Sequence, residues 1–205
     1  MARSERPLPP RIGSEYVDTA LEHLRLTWLL KHFPPLLIWT AYVFVNGFVT
    51  IALLALLAVV TQSAFVFPSL GPTAYLFFFA PLGESSSPRN AILGHAIGLV
   101  CGYGAFWAAG LRHGAPNFHD GVYWPRILAA ALSLAFTGAF MVLFRVNHPP
   151  AGATTLIVAL GILSMPYHLV VIEIAVVLLT VQAFVINRMA GLPYPVWRSD
   201  SAGTG

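Results

Sequence analysis

Long apolar stretches fill most of the chain, and polar residues gather at their ends. No charged side chain occurs from residue 33 to 83, from 127 to 144 or from 174 to 187. A helix that is apolar on every face must be covered by lipid or protein, and crossing a hydrocarbon core of about 30 Å takes about 20 such residues. The pattern therefore predicts an all-α membrane protein with four full transmembrane helices, at residues 36–62, 89–111, 124–144 and 166–190.

Two shorter apolar segments, residues 65–83 and 148–164, open with proline and glycine, which break helices. Their openings match each other. Pro-Ser-Leu-Gly-Pro-Thr at 68–73 aligns with Pro-Pro-Ala-Gly-Ala-Thr at 149–154, and the shared pattern is P-x-x-G-x-T. Each copy follows one long apolar helix and precedes another. The chain is therefore predicted to contain two repeats of helix, broken half-helix and helix, a pattern that indicates a transporter binding site.

The relation between the two repeats depends on whether the half-helices cross the membrane or re-enter. Three crossings per repeat invert the second repeat relative to the first, whereas two crossings leave the repeats parallel. We favour the inverted arrangement, because a half-helix of about 15 residues is about 22 Å long and an extended lead-in at 64–67 completes the crossing. In both arrangements most Arg and Lys residues share the side of the termini, so the positive-inside rule predicts that both termini are cytoplasmic.

The N-terminal region precedes the first apolar stretch and carries no pattern of a cleavable signal peptide. Ser14 is a candidate N-cap for a helix that runs to about Lys31 and stops before Pro34. Its apolar residues share one face, which predicts an amphipathic helix at the membrane surface; packing against a neighbouring helix is an equal alternative. The predicted divisions are a tail and amphipathic helix (1–34), a first membrane repeat (35–111), a connecting loop (112–123), a second membrane repeat (124–191) and a cytoplasmic tail (192–205).

Composition and charge agree with membrane insertion. Hydrophobic residues make up 57% of the chain and charged residues 9%, against about 25% charged in soluble domains. The net charge of +3 does not indicate nucleic-acid binding, because the arginines lie at the ends of apolar segments instead of forming a basic stripe. The single cysteine, Cys101, rules out an intrachain disulfide.

Three glycines, Gly94, Gly98 and Gly102, recur at every fourth position of the second long helix. Small residues at this spacing allow two helices to approach closely in a membrane. We favour a contact within the chain over one between subunits.

The openings of the half-helices have the chemistry of an anion site. A helix start exposes backbone N–H groups and a partial positive charge, and proline is tolerated there because its missing N–H costs nothing. These groups, supplemented by hydroxyls, are predicted to hold a small, singly charged anion near the bilayer midplane. The alternative is that proline and glycine only kink packed helices. The predicted binding residues are Ser69, Gly71, Thr73, Asn147, His148, Ala151, Gly152, Thr154 and Thr155.

Three titratable residues are candidates for gating or proton coupling. His148 precedes the second half-helix, and its alternative role is a structural cap. Glu173 is an acid well inside a crossing segment, which makes it a functional candidate; its alternatives are pairing with His168 and pointing to the membrane interface. His95 is the third candidate, although its position near the start of a crossing helix favours an interfacial location. No catalytic, metal or cofactor motif is found, so we expect no enzyme and no cofactor.

The stretch Asn-His-Pro-Pro-Ala-Gly-Ala-Thr at 147–154 resembles the signature of the HPP family of small integral membrane proteins. The segment 68–73 and the residues Pro88, Arg89, Asn90, Gly94 and His95 are similar to that family as well, so the resemblance covers about residues 35–190. Members in chloroplasts and cyanobacteria are described as nitrite transporters, and the family is usually described with four transmembrane helices. The resemblance therefore implies transport of a small anion, nitrite first.

We expect an anion transporter of a bacterial-type plasma (inner) membrane, with membrane lipids and a small anion as partners, a homodimer as a plausible assembly and no nucleic acid. Three rivals stay open. They are a passive anion channel with the same site, a membrane enzyme that uses His95, His148 and Glu173, and a structural or assembly protein without a pathway.

Overall fold

The computed structural model describes residues 22–23, 25–63, 65–111, 123–163 and 165–199. Over these ranges the chain contains seven α-helices and one short 3₁₀ turn at Glu84–Ser86, and no strand. The helices are α1 (Leu26–His32), α2 (Pro35–Thr61), α3 (Leu70–Phe79), α4 (Pro88–Ala108), α5 (Trp124–Leu143), α6 (Ala151–Ala159) and α7 (Pro166–Met189).

Four of these helices, α2, α4, α5 and α7, are long and apolar enough to cross a membrane. They contain 27, 21, 20 and 24 residues, which at 1.5 Å per residue is about 30 Å or more. Each has proline in its first two positions, where the missing N–H leaves no bond unmade. Four helices long and apolar enough to span a membrane thus lie where they were predicted, with ends within three residues of those expected.

The two predicted broken elements are short helices with non-helical lead-ins. Helix α3 has 10 residues and α6 has nine, and neither 65–69 nor 146–150 is helical. Within the described residues, two non-glycine positions have positive φ, Gln62 (51°) and Arg145 (53°). They lie just beyond the ends of α2 and α5, where the chain turns from a long helix into each lead-in.

The helix contacts follow one pattern in both halves of the chain. Helix α3 packs against α2 and α7, and α6 packs against α5 and α4. Helices α2 and α7 touch, as do α5 and α4, and α4 also packs against α7. Each half-helix is therefore held between the helix that precedes it and the third helix of the other half. Large apolar side chains stay exposed on α2 and α5, as expected for faces covered by lipid.

The glycine row of α4 packs against α6 of the same chain. A Cβ on Gly94 would lie 2.8 Å from the Cβ of His148, and one on Gly98 would lie 2.7 Å from the carbonyl oxygen of Ala151. One turn further, a Cβ on Gly102 would lie 2.6 Å from the carbonyl oxygen of Thr155. The residue numbers of the glycines on α4 and of their contacts at α6 increase together, so the two helices run parallel. The expected contact within the chain is confirmed.

The ends of several helices meet on one side of the molecule. Asn187 near the end of α7 accepts from the Tyr42 hydroxyl (2.7 Å) and donates to the Phe77 carbonyl (3.1 Å), joining α7 to α2 and α3. Residues 192–199, part of the segment predicted as a tail, pack here too. The buried Tyr194 hydroxyl donates to the Ser86 carbonyl, and burial raises its pKa, so it stays a donor.

The predicted N-terminal helix and the connecting loop fall largely outside the described residues. Helix α1 covers the end of the predicted helix, Leu26–His32, and the chain stops being helical before Pro34. The Thr27 N–H donates to the Ala190 carbonyl at 3.4 Å, so α1 lies on the same side as the end of α7. Residues 1–21 and 112–122 lie outside the described ranges.

Candidate functional site

The imidazole of His95 lies between the two half-helices and contacts both. Its Nε2 is 3.0 Å from the Thr73 hydroxyl on α3, and its Nδ1 is 2.7 Å from the Thr154 hydroxyl on α6. These threonines occupy the same position in the two copies of P-x-x-G-x-T. All three side chains are fully buried. The rotation of α4 turns this side chain towards α3 and α6, while the interfacial depth favoured for His95 stays a prediction.

A second histidine completes the contact between the half-helices. His148 stands in the lead-in to α6, and its Nε2 is 3.2 Å from the Thr73 hydroxyl that also contacts His95. Its Nδ1 donates to the Ser85 carbonyl at 2.7 Å. The Ser69 hydroxyl is 2.6 Å from that of Thr154. We refer to Ser69, Thr73, His95, His148 and Thr154 as the polar cluster.

Glycines of α4 make the polar cluster sterically feasible. Gly94 leaves space for the Cβ of His148, and Gly98 leaves space for the backbone of Ala151. Any side chain at these positions would push α6 away from α4 and would separate Thr154 from His95. The glycine row and the P-x-x-G-x-T motif are thus two parts of one arrangement.

Thr155 lies outside the polar cluster, against α5. Its hydroxyl is 2.9 Å from that of Thr137 and also donates to the Ala151 carbonyl at 3.0 Å. Thr137 was missed by the sequence reasoning, since one threonine in an apolar helix carries no distinguishing signal. Of the other predicted residues, Gly71 is exposed, and Gly152 is partly buried beside Leu134.

The backbone N–H groups at the start of α6 are engaged within the chain. Those of Ala151, Gly152 and Ala153 donate to the carbonyls of the residues three positions earlier, at 3.1, 3.0 and 3.1 Å. In this conformation these three donors are not directed at a ligand. At the start of α6, side chains rather than these three amides therefore provide the polar groups that face α3.

A cavity of about 310 Å³ opens beside His148. Its wall carries one guanidinium, one carboxylate and one side-chain amide, those of Arg145, Glu84 and Asn147. Arg145 and Asn147 are exposed, whereas His148 is fully buried behind them. The cavity thus borders one residue of the polar cluster, His148, and we call it the vestibule.

Arg89 holds the wall of the vestibule in place. Its two terminal nitrogens donate to the carbonyls of Phe144 and Arg145, at 2.9 and 2.8 Å. The neighbouring Asn90 accepts from Arg89 at 3.0 Å and donates to the Glu84 carbonyl at 3.0 Å. The sequence analysis gave Arg89 and Asn90 no role in the site beyond their resemblance to the family. The Arg-Asn pair directly after the helix-starting Pro88 is the signal that was available.

Glu173 makes no hydrogen bond within the described part of the chain. Both of its carboxyl oxygens are buried and lack a partner, and Nδ1 of His168 is in the same condition. The alternative pairing of Glu173 with His168 is therefore not formed. The structure does not bring Glu173 into the hydrogen bonds of the polar cluster, and its gating role stays a prediction. Over the described ranges, no three His, Cys, Asp or Glu side chains gather closely enough to hold a metal ion.

Comparison with known proteins gives one result. No curated protein and no solved structure matches the chain significantly. The family described as "HPP, transmembrane region" matches residues 34–195, which includes every residue of the polar cluster and the vestibule. The chain is therefore a membrane protein that belongs to the HPP transmembrane family.

Proposed function

We propose that the protein transports a small inorganic anion, nitrite first, across the membrane. The observation that carries the proposal is the meeting of two half-helices at buried histidines, directly behind a vestibule that exposes a guanidinium. Interrupted helices that meet inside the membrane are where transporters bind substrates. The preference for nitrite rests on the resemblance to family members described as nitrite transporters.

The charges around the vestibule suit an ion that must bind and leave again. Arg145 lies at its exposed wall, where it attracts an anion by long-range electrostatics that water weakens. The polar cluster behind it consists of hydroxyls and imidazoles and contains no arginine or lysine. A fixed cation buried there would cost much desolvation and would hold the anion tightly. Neutral donors give the weaker, reversible binding that transport needs.

An inverted repeat is part of the proposal. Exchange of α2 with α5, α3 with α6 and α4 with α7 turns every contact among these helices into another contact that the chain makes. The left-handed residues Gln62 and Arg145 occupy corresponding places, and Thr73 and Thr154 meet at one ring. These three observations support two related halves whose half-helices approach the site from opposite sides.

The orientation in the membrane follows from where the cations gather. The Arg89 N–H donates to the Trp197 carbonyl, and the Arg89 side chain binds the carbonyl of Arg145. These two arginines therefore share one side of the molecule with the C-terminal segment. The positive-inside rule supports a cytoplasmic location for this side and for both termini.

In this proposal the described conformation is closed. The half-helices are joined directly by the bond between Ser69 and Thr154 and indirectly through His95. An anion passes when α3 and α6 separate, which exchanges these bonds for bonds to the ion and to water. Each bond has a net worth of about 1 kcal/mol, so the opening is accessible on a transport timescale.

A second candidate function is a structural or assembly role without a pathway. It is favoured by the way in which the side chains of the polar cluster are fully buried and satisfy one another. The two functions differ in whether the half-helices ever separate.

Competitive uptake into proteoliposomes tests the transport proposal and its substrate. The purified protein is reconstituted, nitrite uptake is measured, and nitrate, formate and bicarbonate are added as competitors. Thr154→Val removes a hydroxyl of the polar cluster, and Thr180→Val is the matched control, since Thr180 only bonds its own helix at Val176. We expect uptake to saturate as the nitrite concentration rises. Thr154→Val should reduce this uptake, and Thr180→Val should leave it unchanged. A folded protein that moves none of these anions supports the structural role.

A further inference from the structure

The polar cluster forms one unbroken line of hydrogen-bonding groups. From the vestibule inwards, the line begins at the Ser85 carbonyl and continues through His148, Thr73, His95 and Thr154 to Ser69. The successive donor–acceptor distances are 2.7, 3.2, 3.0, 2.7 and 2.6 Å. All five side chains of the line are fully buried. Two imidazoles linked by one hydroxyl are an arrangement that holds and passes protons.

The Ser85 carbonyl fixes which nitrogen of His148 carries hydrogen. A carbonyl only accepts, so Nδ1 of His148 must be the donor. In neutral His148, Nε2 is then an acceptor, and the Thr73 hydroxyl is the group placed to donate to it. Thr73 has one hydroxyl hydrogen. The Ser69 carbonyl lies 3.0 Å from the Thr73 oxygen as a further acceptor, and so does Nε2 of His95 when that ring carries its hydrogen on Nδ1. The Ser85 carbonyl therefore sets the tautomer of neutral His148 and leaves its Nε2 free to take up a proton.

We infer that the polar cluster is a proton relay between the vestibule and the half-helices, and that the anion moves together with a proton. The inference rests on the proposed transport function. It adds a second transported species and assigns His95 and Thr73 the task of carrying it. His148 receives the proton, since it is the residue of the polar cluster that borders the vestibule.

One proton passes from His148 to His95 through the Thr73 hydroxyl. Protonated His148 donates from Nε2 to the Thr73 oxygen, while neutral His95, with hydrogen on Nδ1, accepts from the Thr73 hydroxyl at Nε2. In the step, the N–H bond at His148 Nε2 breaks and an O–H bond forms at Thr73. The original O–H bond of Thr73 breaks and an N–H bond forms at His95 Nε2. One proton has moved from His148 to His95, and the Nδ1–H of His148 has stayed on Ser85 throughout.

The charged groups around the relay are few. Glu84 and Arg145 line the vestibule with His148, and Arg89 holds the loop carbonyls beside it. The half-helices α3 and α6 face the rings with hydroxyls, those of Thr73 and Thr154. A proton on either ring is therefore a local positive charge between the half-helices, where an anion would neutralise it.

The test compares the number of protons moved per nitrite. Proteoliposomes carry a pH-sensitive dye inside, and nitrite uptake and internal acidification are recorded together. The variants are His95→Gln, which keeps polar groups but holds no proton, Thr73→Val, which removes the bridging hydroxyl, and Thr73→Ser, which retains it. Thr180→Val is the control. The flux of protein-free liposomes, in which nitrite crosses as nitrous acid with its own proton, is subtracted first. We then expect the wild-type proton-to-nitrite ratio in Thr73→Ser and Thr180→Val, and a ratio near zero in whatever protein-dependent flux His95→Gln and Thr73→Val retain.

The outcomes separate the relay from the transport function. A wild type that moves no nitrite overturns the proposed function. A wild type that moves nitrite with protons, while His95→Gln and Thr73→Val keep the same ratio, overturns the relay alone. If those variants move no nitrite, ¹⁵N NMR of the labelled histidines in lipid nanodiscs shows which ring nitrogens carry hydrogen and so decides whether the relay exists. The signals are assigned with His95→Gln and His148→Gln. The relay requires His148 to carry hydrogen on Nδ1 throughout an acid titration and to gain its proton on Nε2. A neutral His148 with hydrogen on Nε2 overturns it.

Discussion

Thr73 and Thr154 lie on opposite sides of one imidazole ring, each with its hydroxyl within 3.0 Å of a different ring nitrogen of His95. The two threonines are 81 positions apart and occupy the last place of the two P-x-x-G-x-T copies. The motif therefore does more than begin two short helices. It delivers one hydroxyl from each half of the chain to a shared histidine, which makes the polar cluster the joint between the halves.

The close contact of α4 with α6 predicts a large effect of one methyl group. In Gly98→Ala, the new Cβ would lie 2.7 Å from the Ala151 carbonyl oxygen and 2.9 Å from the Thr155 hydroxyl. We expect a loss of about 1–3 kcal/mol of stability, as for other overpacked cores. Thermal unfolding of the purified protein in detergent measures it. Gly104→Ala is the matched control on the same helix, because nothing lies within 4 Å of its Cβ. An equal loss in both variants would contradict the packing account.

Because the Arg89 side chain donates hydrogen bonds to two carbonyls, we predict that lysine cannot replace it. Lysine is a single point donor, whereas the guanidinium reaches the carbonyls of Phe144 and Arg145 at once. We expect Arg89→Lys to lose about 1–2 kcal/mol of stability and to lower nitrite uptake by loosening the vestibule wall. Arg198→Lys, at an exposed position, serves as the control. Unchanged uptake and unfolding temperature in Arg89→Lys would show that the bidentate contact is dispensable.

The left-handed backbone of Arg145 predicts opposite effects on stability and uptake. Arg145→Gly relieves the strain of φ 53°, which stabilises the protein by up to about 1 kcal/mol, but removes the guanidinium from the vestibule. We expect a higher unfolding temperature and a higher nitrite concentration for half-maximal uptake. Gln62→Gly relieves the same strain at φ 51° without touching the vestibule, so its uptake should equal that of the wild type. Parallel changes in the two variants would argue against a role of Arg145 in attracting the anion.

The bond between Tyr42 and Asn187 predicts energetic coupling between α2 and α7. Tyr42→Phe removes the donor to Asn187 Oδ1, and Asn187→Leu removes the partner of the Phe77 carbonyl as well. We expect losses of about 1 kcal/mol for the first and more for the second, with a coupling energy of at least about 0.5 kcal/mol in the double variant. Unfolding of the four proteins forms the cycle. Strict additivity would mean that the bond does not form in the membrane.

The elements were predictable from the sequence because lipid imposes a simple rule on them. Uninterrupted apolar runs that begin near a proline predicted α2, α4, α5 and α7. The proline and glycine of each P-x-x-G-x-T copy predicted the half-helices. The glycine row predicted a close contact, since a missing Cβ has few other uses at that spacing. These signals are local, and each depends on residues that stand next to one another in the chain.

The contents of the polar cluster were only partly predictable, because they depend on rotation and on backbone groups. The rotation of α4 decides whether His95 faces lipid or the half-helices, and no pattern near it fixes that angle. The acceptor for His148 is the Ser85 carbonyl, which has no signature in a sequence. Likewise, the turn bonds that engage the N–H groups of Ala151 to Ala153 follow from the local backbone conformation and not from residue type.

The central claim is that the half-helices must separate for an anion to cross, and a reversible cross-link tests it most directly. The hydroxyls of Ser69 and Thr154 are 2.6 Å apart, so cysteines at both positions should form a disulfide between α3 and α6. The free Cys101 is first replaced by alanine, and the two single-cysteine variants are controls. Nitrite uptake into proteoliposomes is then measured before and after a reducing agent is added. We expect the oxidised double variant to move no nitrite and both single-cysteine variants to be insensitive to the agent. Reduction should raise uptake by the double variant to a level comparable with that of the weaker single-cysteine variant. Uptake that persists in the fully oxidised double variant would contradict the account.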